Sequence, residues 1–189
     1  EALRVNFVGE LGWELHHPIE MQNYIFDQVM EAGAEFDIKP FGIRAMDSMR
    51  LEKSYRLIPR EMSIEYSAYE SGLDRFVRLD KENDFIGKKA LKDWQDRGAT
   101  NGFVTLEVLG IVDADARGSE AIYNNGEVVG RATSGGFGWR CGKSLALGLV
   151  KKDLTTIGTE LEIEILGKKY KSVVIDESPF DPTNESLRS

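Results

Sequence analysis

The chain has 189 residues, 41% of them hydrophobic and 30% charged, with a formal net charge of −8. That length holds one large domain or two small ones of ordinary globular composition. The acidic balance excludes the basic footprint of a general nucleic-acid binder, and no apolar run is long enough to span a membrane as a helix.

Residues 2–7 read as a strand with Leu3, Val5 and Phe7 on one face. The chain begins inside that pattern, with neither an initiator Met nor a signal segment, so an upstream half is expected to be missing. Gly9 and Gly12 supply turn conformations. Residues 13–17 read as a partner strand, with Trp13 and Leu15 on one face and Glu14 and His16 on the other. A helix is expected from Pro18 to about Ala32, carried by Met21, Ile25, Val29 and Ala32 and stopped by Gly33. A second helix is expected from Pro40 through "PFGIRAMDSMRLEKS". Residues 75–79 read as a strand, and "GKKALKDWQDRG" as a short amphipathic helix capped by Gly98.

After Gly98 the pattern turns to β. "FVTLEVLG" is strand-like, and "EAIYNNGEVVGRATS" is a hairpin around the strong turn signal Asn125-Gly126. "KSLALGLV" reads as a buried strand, and "GTELEIEILGKKYKSVVIDE" alternates, turns near Gly167 and alternates again. An α+β piece, residues 1–99, is therefore expected before an all-β barrel or sandwich, residues 100–189. The polar tail "SPFDPTNESLRS" is expected on the surface.

Few residue clusters carry chemistry. One cysteine, Cys141, permits no disulfide and fits a reducing compartment. With only the adjacent His16 and His17 beside it, no zinc or iron ligand set is expected. Arg140 and Lys143 flank Cys141 and would favour a thiolate, against the plainer reading of a small turn residue. "GRATSGGFGW" and "RCGKS" lack the spacing of a phosphate loop. Arg44, Arg50, Lys53, Arg56 and Arg60 would suit a polyanionic tail, or salt bridges to Asp47, Glu52 and Glu61. Glu10 reads as a turn residue. Glu14, within a strand beside Trp13 and Leu15, is either solvated on an open sheet face or a ligand contact. As a ligand contact it suits a flat donor–donor edge, such as the 2-amino-4-oxo edge of a pterin.

"RVNFVGELGWELHHP", "MDSMRLEKSYR", "ESGLDRFVRLDKENDFIGKKAL" and "RATSGGFGW…KSLALGLV" together resemble the glycine-cleavage T-protein (aminomethyltransferase) family, in particular its fused branch, the dimethylglycine and sarcosine dehydrogenases. The resemblance covers nearly the whole chain in the family's motif order. It implies an α+β fold: a partial T-protein-like folate-binding domain followed by a small antiparallel β-barrel. It also implies a flavin (FAD) half upstream that oxidises an N-methyl amine, and a folate half that passes the one-carbon unit to tetrahydrofolate. On this resemblance the pterin-binding glutamate is Glu14, flanked by Leu15 and His16, and the pocket aromatic is Phe7, where the family has a tyrosine. Arg75 stands where the branch has a folate-side tyrosine, and would meet a carboxylate of the folate tail. The arginine that aminomethyltransferases carry in the second helix is Met46 here, which favours the dehydrogenase branch. Ile58-Pro59 replaces that branch's aromatic-glycine pair. The family's catalytic aspartate lies upstream of residue 1, so no catalytic residue is assigned. The alternatives are a free-standing folate-dependent transferase and a T-protein-like module without turnover. No nucleic-acid or membrane partner is expected, and the expected compartment is the cytoplasm, or the mitochondrial matrix in a eukaryote.

Overall fold

The computed structural model describes all 189 residues. Its core is a closed barrel of six antiparallel strands in residues 101–175. In chain order they are β3 (Asn101–Val108), β4 (Ala121–Asn124), β5 (Glu127–Gly138), β6 (Lys143–Lys151), β7 (Glu160–Ile165) and β8 (Lys168–Ile175), and around the barrel they run β3-β6-β5-β4-β7-β8. Alternation sets the interior. Val104, Leu106 and Val108 of β3 meet Ile122, Ala146, Val150, Leu161, Ile163, Ile165 and Val174 in one buried cluster. Two hairpins are closed by left-handed residue pairs, Asn125 (φ 50°) with Gly126 (φ 84°) and Leu166 (φ 51°) with Gly167 (φ 76°). Such turns match the twist of the strands they join.

Strand β6 is buried from Ser144 to Val150, on both faces. Ala146 and Val150 point into the barrel, while Leu145, Leu147 and Leu149 belong to the alternate face. The α2 segment packs against β5 and β6 from outside. That cover explains the unbroken apolar run of this strand. Where α2 arrives, small residues make room: a Cβ on Gly136 would stand 3.1 Å from the Leu51 side chain, and one on Gly138 would stand 2.9 Å from that of Glu52.

The N-terminal part is more open. β1 (Ala2–Leu3) pairs with β2 (Glu14–Leu15), a ladder of two residues each, so the predicted strands 2–7 and 13–17 are both shortened, and the chain bends between them at residues 7–11. A 3₁₀ turn at Ile19–Met21 leads into α1 (Gln22–Gly33). Gly33 does not end this run: its φ is −82°, a further 3₁₀ turn follows at Ala34–Phe36, and Asp37 takes the left-handed φ of 55° that stops it. Helix α2 (Ile43–Leu51) starts after Gly42, not at Pro40. The predicted strand 75–79 is absent. Asp74–Phe76 is a 3₁₀ turn, and residues 75–79 pair with neither the barrel nor the β1–β2 ladder. Helix α3 (Lys88–Arg97) forms as expected, with Lys89–Asp93 and Lys92–Asp96 pairs along its exposed side and Gly98 (φ 78°) after it. In residues 1–49 only Gly9 is buried, and Trp13, Phe36 and Ile43 are largely exposed.

The polar tail lies on the surface, as expected, but it is docked there. Residues 176–188, with a last turn α4 (Glu185–Arg188), cross back over the end of α2. The Phe180 amide donates to the Glu52 carbonyl at 3.0 Å, and the Leu11 amide donates to the Ser186 carbonyl at 3.2 Å. Lys53, buried beneath, donates to the carbonyls of Phe180 (3.1 Å) and Asp181 (2.7 Å) and to Asn184 Oδ1 (2.9 Å). Burial lowers the Lys53 pKa despite the nearby Asp181 carboxylate, and the Arg140 charge adds to that fall.

Candidate functional site

Between α2 and the barrel lies a layer of buried polar side chains. Arg50 is fully buried; it donates to Asp47 at 2.7 Å and to the Tyr55 carbonyl at 3.2 Å, and stands 3.6 Å from Glu61. Glu61, also fully buried, accepts from the Leu57 amide at 2.8 Å and from the hydroxyls of Thr133 (2.5 Å) and Ser134. Neighbouring strand residues normally face opposite sides, but the register of β5 shifts between Ala132 and Ser134. This bulge aims two consecutive hydroxyls at one carboxylate. Arg56 donates to both oxygens of Glu177 at 2.8 Å, with its guanidinium 3.7 Å from the centre of the Phe103 ring. The cations expected as a polyanion patch are therefore mostly internal: Arg50, Lys53 and Arg56 are consumed in this layer, and only Arg44 and Arg60 remain exposed.

The layer fixes what stands above it. Tyr55 follows the turn at Ser54 (φ 54°) and stacks on Phe7, with ring centroids 6.1 Å apart and planes inclined by 25°. Burial raises the Tyr55 pKa above 10.0, and the nearby Arg75 charge draws part of that rise back. Arg75 is exposed, its guanidinium 4.9 Å from the Phe76 ring centre, and it forms no ion pair within the chain. Phe7 and Tyr55 thus form an aromatic stack, and the Arg75 charge is felt at Tyr55.

The second group is on β2. The Glu14 carboxylate is exposed, and its one side-chain partner is His16 Nε2 at 3.3 Å, so the two share a face as alternation predicts. Leu15 pairs with Ala2 and is also exposed. No hydrogen bond or ring contact joins the two groups; the turn 8–12 connects them.

That turn is held by Arg140, which the sequence marks only as a neighbour of Cys141. The Arg140 guanidinium donates to Glu10 at 2.6 Å, to the Val8 carbonyl at 2.9 Å, to the Met49 carbonyl at 3.1 Å and to buried Glu52. Glu10 is therefore a turn residue, as expected, but one that anchors an ion pair. Tyr55 was missed as well; the only sequence signal was an aromatic directly after the buried stretch "RLEKS". Cys141 is no activated thiol: burial pushes its pKa above 9.0 and the Glu52 carboxylate adds to the rise, against Arg140 and Lys143. "GRATSGGFG" lies along β5 and "GKS" at the start of β6, with no helix after either.

Comparison with known proteins agrees with this architecture. The GCVT N-terminal domain matches residues 1–81, and the glycine cleavage T-protein C-terminal barrel domain matches residues 102–181. Human mitochondrial dimethylglycine dehydrogenase is 43% identical over 99% of this chain and 22% of its own length. Mouse mitochondrial sarcosine dehydrogenase is 34% identical over 99% of the chain and 21% of its own length. An aminomethyltransferase from Bacillus cytotoxicus is 35% identical over 94% of the chain and 48% of its own length. The chain thus spans about a fifth of the dehydrogenases and about half of the transferase. In three dimensions it superposes on the glycine cleavage system aminomethyltransferase T of Bartonella henselae with a TM-score of 0.84 at 25% identity, over 95% of this chain and 49% of that one.

A closed six-stranded barrel backed by a helical half-domain is thus the C-terminal architecture of an aminomethyltransferase-type fold. The chain belongs to the glycine-cleavage T-protein family.

Proposed function

We propose that this chain is the later part of the tetrahydrofolate-binding domain of a flavin-dependent N-methyl-amine dehydrogenase of the dimethylglycine or sarcosine type. Residues 1–99 are the second part of the folate-binding domain and residues 100–189 the C-terminal barrel domain. The observation that carries the reading is an exposed acid, Glu14, carried by the strand that follows the turn from Phe7, one ring of an aromatic stack. Glu14 has no partner in the chain but His16, and Phe7 lies on Tyr55 beside the uncommitted cation Arg75. These groups fit a folate. Glu14 accepts hydrogen bonds from the adjacent N–H donors of the pterin, with Leu15 and His16 beside it. Phe7 and Tyr55 give the ring an aromatic surface, and Arg75 attracts a carboxylate of the tail. Tetrahydrofolate, when bound, accepts the one-carbon unit. Nothing in residues 1–189 is assigned to the transfer itself.

Met46 in place of the transferase arginine supports the dehydrogenase branch over a free-standing transferase. FAD and the amine then belong to a part of the protein outside this chain. The mitochondrial relatives support the mitochondrial matrix in a eukaryote and the cytoplasm otherwise.

The test is tetrahydrofolate affinity in the full-length protein. Losing a charge-assisted contact of about 1.5–3 kcal/mol in Glu14→Gln weakens binding by about tenfold or more. Unchanged affinity rejects the folate reading. The visible spectrum of the same protein separates the branches. Flavin absorption supports the dehydrogenase, and a colourless protein that takes up no added flavin points to the transferase.

A further inference from the structure

We infer that Arg140 is a positioning residue for the folate site: it locks the turn 8–12 to the barrel and so sets where Phe7 and Glu14 stand relative to Tyr55. The inference rests on the folate reading above and adds a residue to it.

The turn has little to hold it in place. Of residues 1–17 only Gly9 is buried, and the β1–β2 ladder is two residues long on each side. Apart from Arg140, three contacts tie the turn down. Phe7 stacks on Tyr55, Gly9 lies against the Lys53 stem, so close that a Cβ there would come within 2.4 Å, and the Leu11 amide reaches Ser186.

Arg140 grips the turn at two points on the path from Phe7. Nη2 holds the Val8 carbonyl, next to Phe7, and Nη1 holds the Glu10 carboxylate, four residues before Glu14. Its other end is fixed. Glu52, fully buried, accepts from the Arg140 backbone amide at 2.6 Å, from the Cys141 amide at 3.2 Å and from the Arg140 guanidinium. The guanidinium lies 3.7 Å from the centre of the Phe180 ring in the tail. Arg140 itself sits in the short connection between β5 and β6, adjacent strands of the closed barrel. A planar fork with donors in fixed directions spans Glu52, Met49, Val8 and Glu10 at once, which a single ammonium cannot do. Arg140 is part-buried, its side chain 21% exposed, so water competes only partly for these bonds.

The experiment compares Arg140→Ala, Arg140→Lys, Glu10→Gln and the Arg140→Ala/Glu10→Gln double variant of the full-length protein. Tetrahydrofolate dissociation constants are measured beside hydrogen exchange in peptides covering 6–15 and 145–150. Arg140→Ala is expected to raise the dissociation constant about tenfold, as loss of a supporting group behind a binding residue does. Exchange should accelerate in 6–15 and not in the barrel peptide. Arg140→Lys should fall between parent and Arg140→Ala, and the double variant should be no weaker than Arg140→Ala alone. The inference is overturned by unchanged affinity in Arg140→Ala, by additive effects in the double variant, or by equal acceleration in the barrel peptide, which would mark a general structural role. Glu14→Gln, run in parallel, separates the two failures. If it weakens binding while Arg140→Ala does not, the positioning role falls alone. If neither variant changes affinity, the folate reading falls with it.

Discussion

Glu61 is the acid on which the polar layer beneath Tyr55 most depends, and Glu61→Gln tests that dependence. The substitution keeps volume and shape. The Gln oxygen can still accept from the Leu57 amide, and the Thr133 and Ser134 hydroxyls can rotate to accept from its NH₂. What is lost is the negative charge 3.6 Å from Arg50, a guanidinium with no exposed surface and with Nη2 already unpartnered. Breaking a buried ion pair from one side costs about 3–5 kcal/mol. Asp47 stays on Arg50 Nε at 2.7 Å, which places the loss near the lower end, about 3 kcal/mol. Because the protein extends beyond this chain, the assay must be local. Amide exchange in peptides covering 55–62 and 130–136 of the full-length protein should accelerate by about two decades, at roughly 1.4 kcal/mol per decade. Glu65→Gln, which removes a largely exposed partner of Arg131, should leave both peptides almost unchanged. An acceleration below about tenfold in Glu61→Gln would refute the account of the layer as an interdependent charge network.

Two further outcomes are expected. Burial alone would raise the Glu70 pKa, but hydrogen bonds from the Ser67 amide and from the side chains of Asn101, Ser67 and Thr100 outweigh it and hold the value below 4.5. Its stabilising contribution is therefore complete above pH 4.5 and lost as pH falls through the lowered value. Proteolysis of the 63–72 segment should increase as pH drops below 4.5, and Glu70→Gln should flatten that dependence; an equal pH response in the variant would contradict it. Gly130→Ala would put a Cβ 2.2 Å from the Leu149 carbonyl and 2.8 Å from Val150 Cα, both backbone atoms of the neighbouring strand. It should cost about 3 kcal/mol or more and reduce soluble yield. Gly126→Ala, strained by its φ of 84° but in open space, should cost about 1 kcal/mol. Equal melting temperatures for the two would show that the β5–β6 contact is not as close as described.

What the sequence determined by itself is local. The hairpin turns at Asn125-Gly126 and near Gly167 are marked by Asn and Gly, which tolerate positive φ, beside strands of period two, and both appear where the pattern puts them; Leu166 takes φ 51° in the second turn without that tolerance. The placement of Glu14 and His16 on one face follows from the same alternation. The tertiary structure decided whatever depends on pairing across long separations. The stretch 75–79 reads as a strand but pairs with neither the barrel nor the β1–β2 ladder, and so forms none. Glu61 finds Thr133 72 residues away, through a bulge that has no signature in "GRATSGG". Glu10 finds Arg140 at a separation of 130 residues, and the polar tail is tied to the surface by Lys53. Periodicity and turn chemistry act between neighbours along the chain, so they can be read before folding. A buried charge can be held by any of several opposite charges, and only the packed barrel selects which of them it meets.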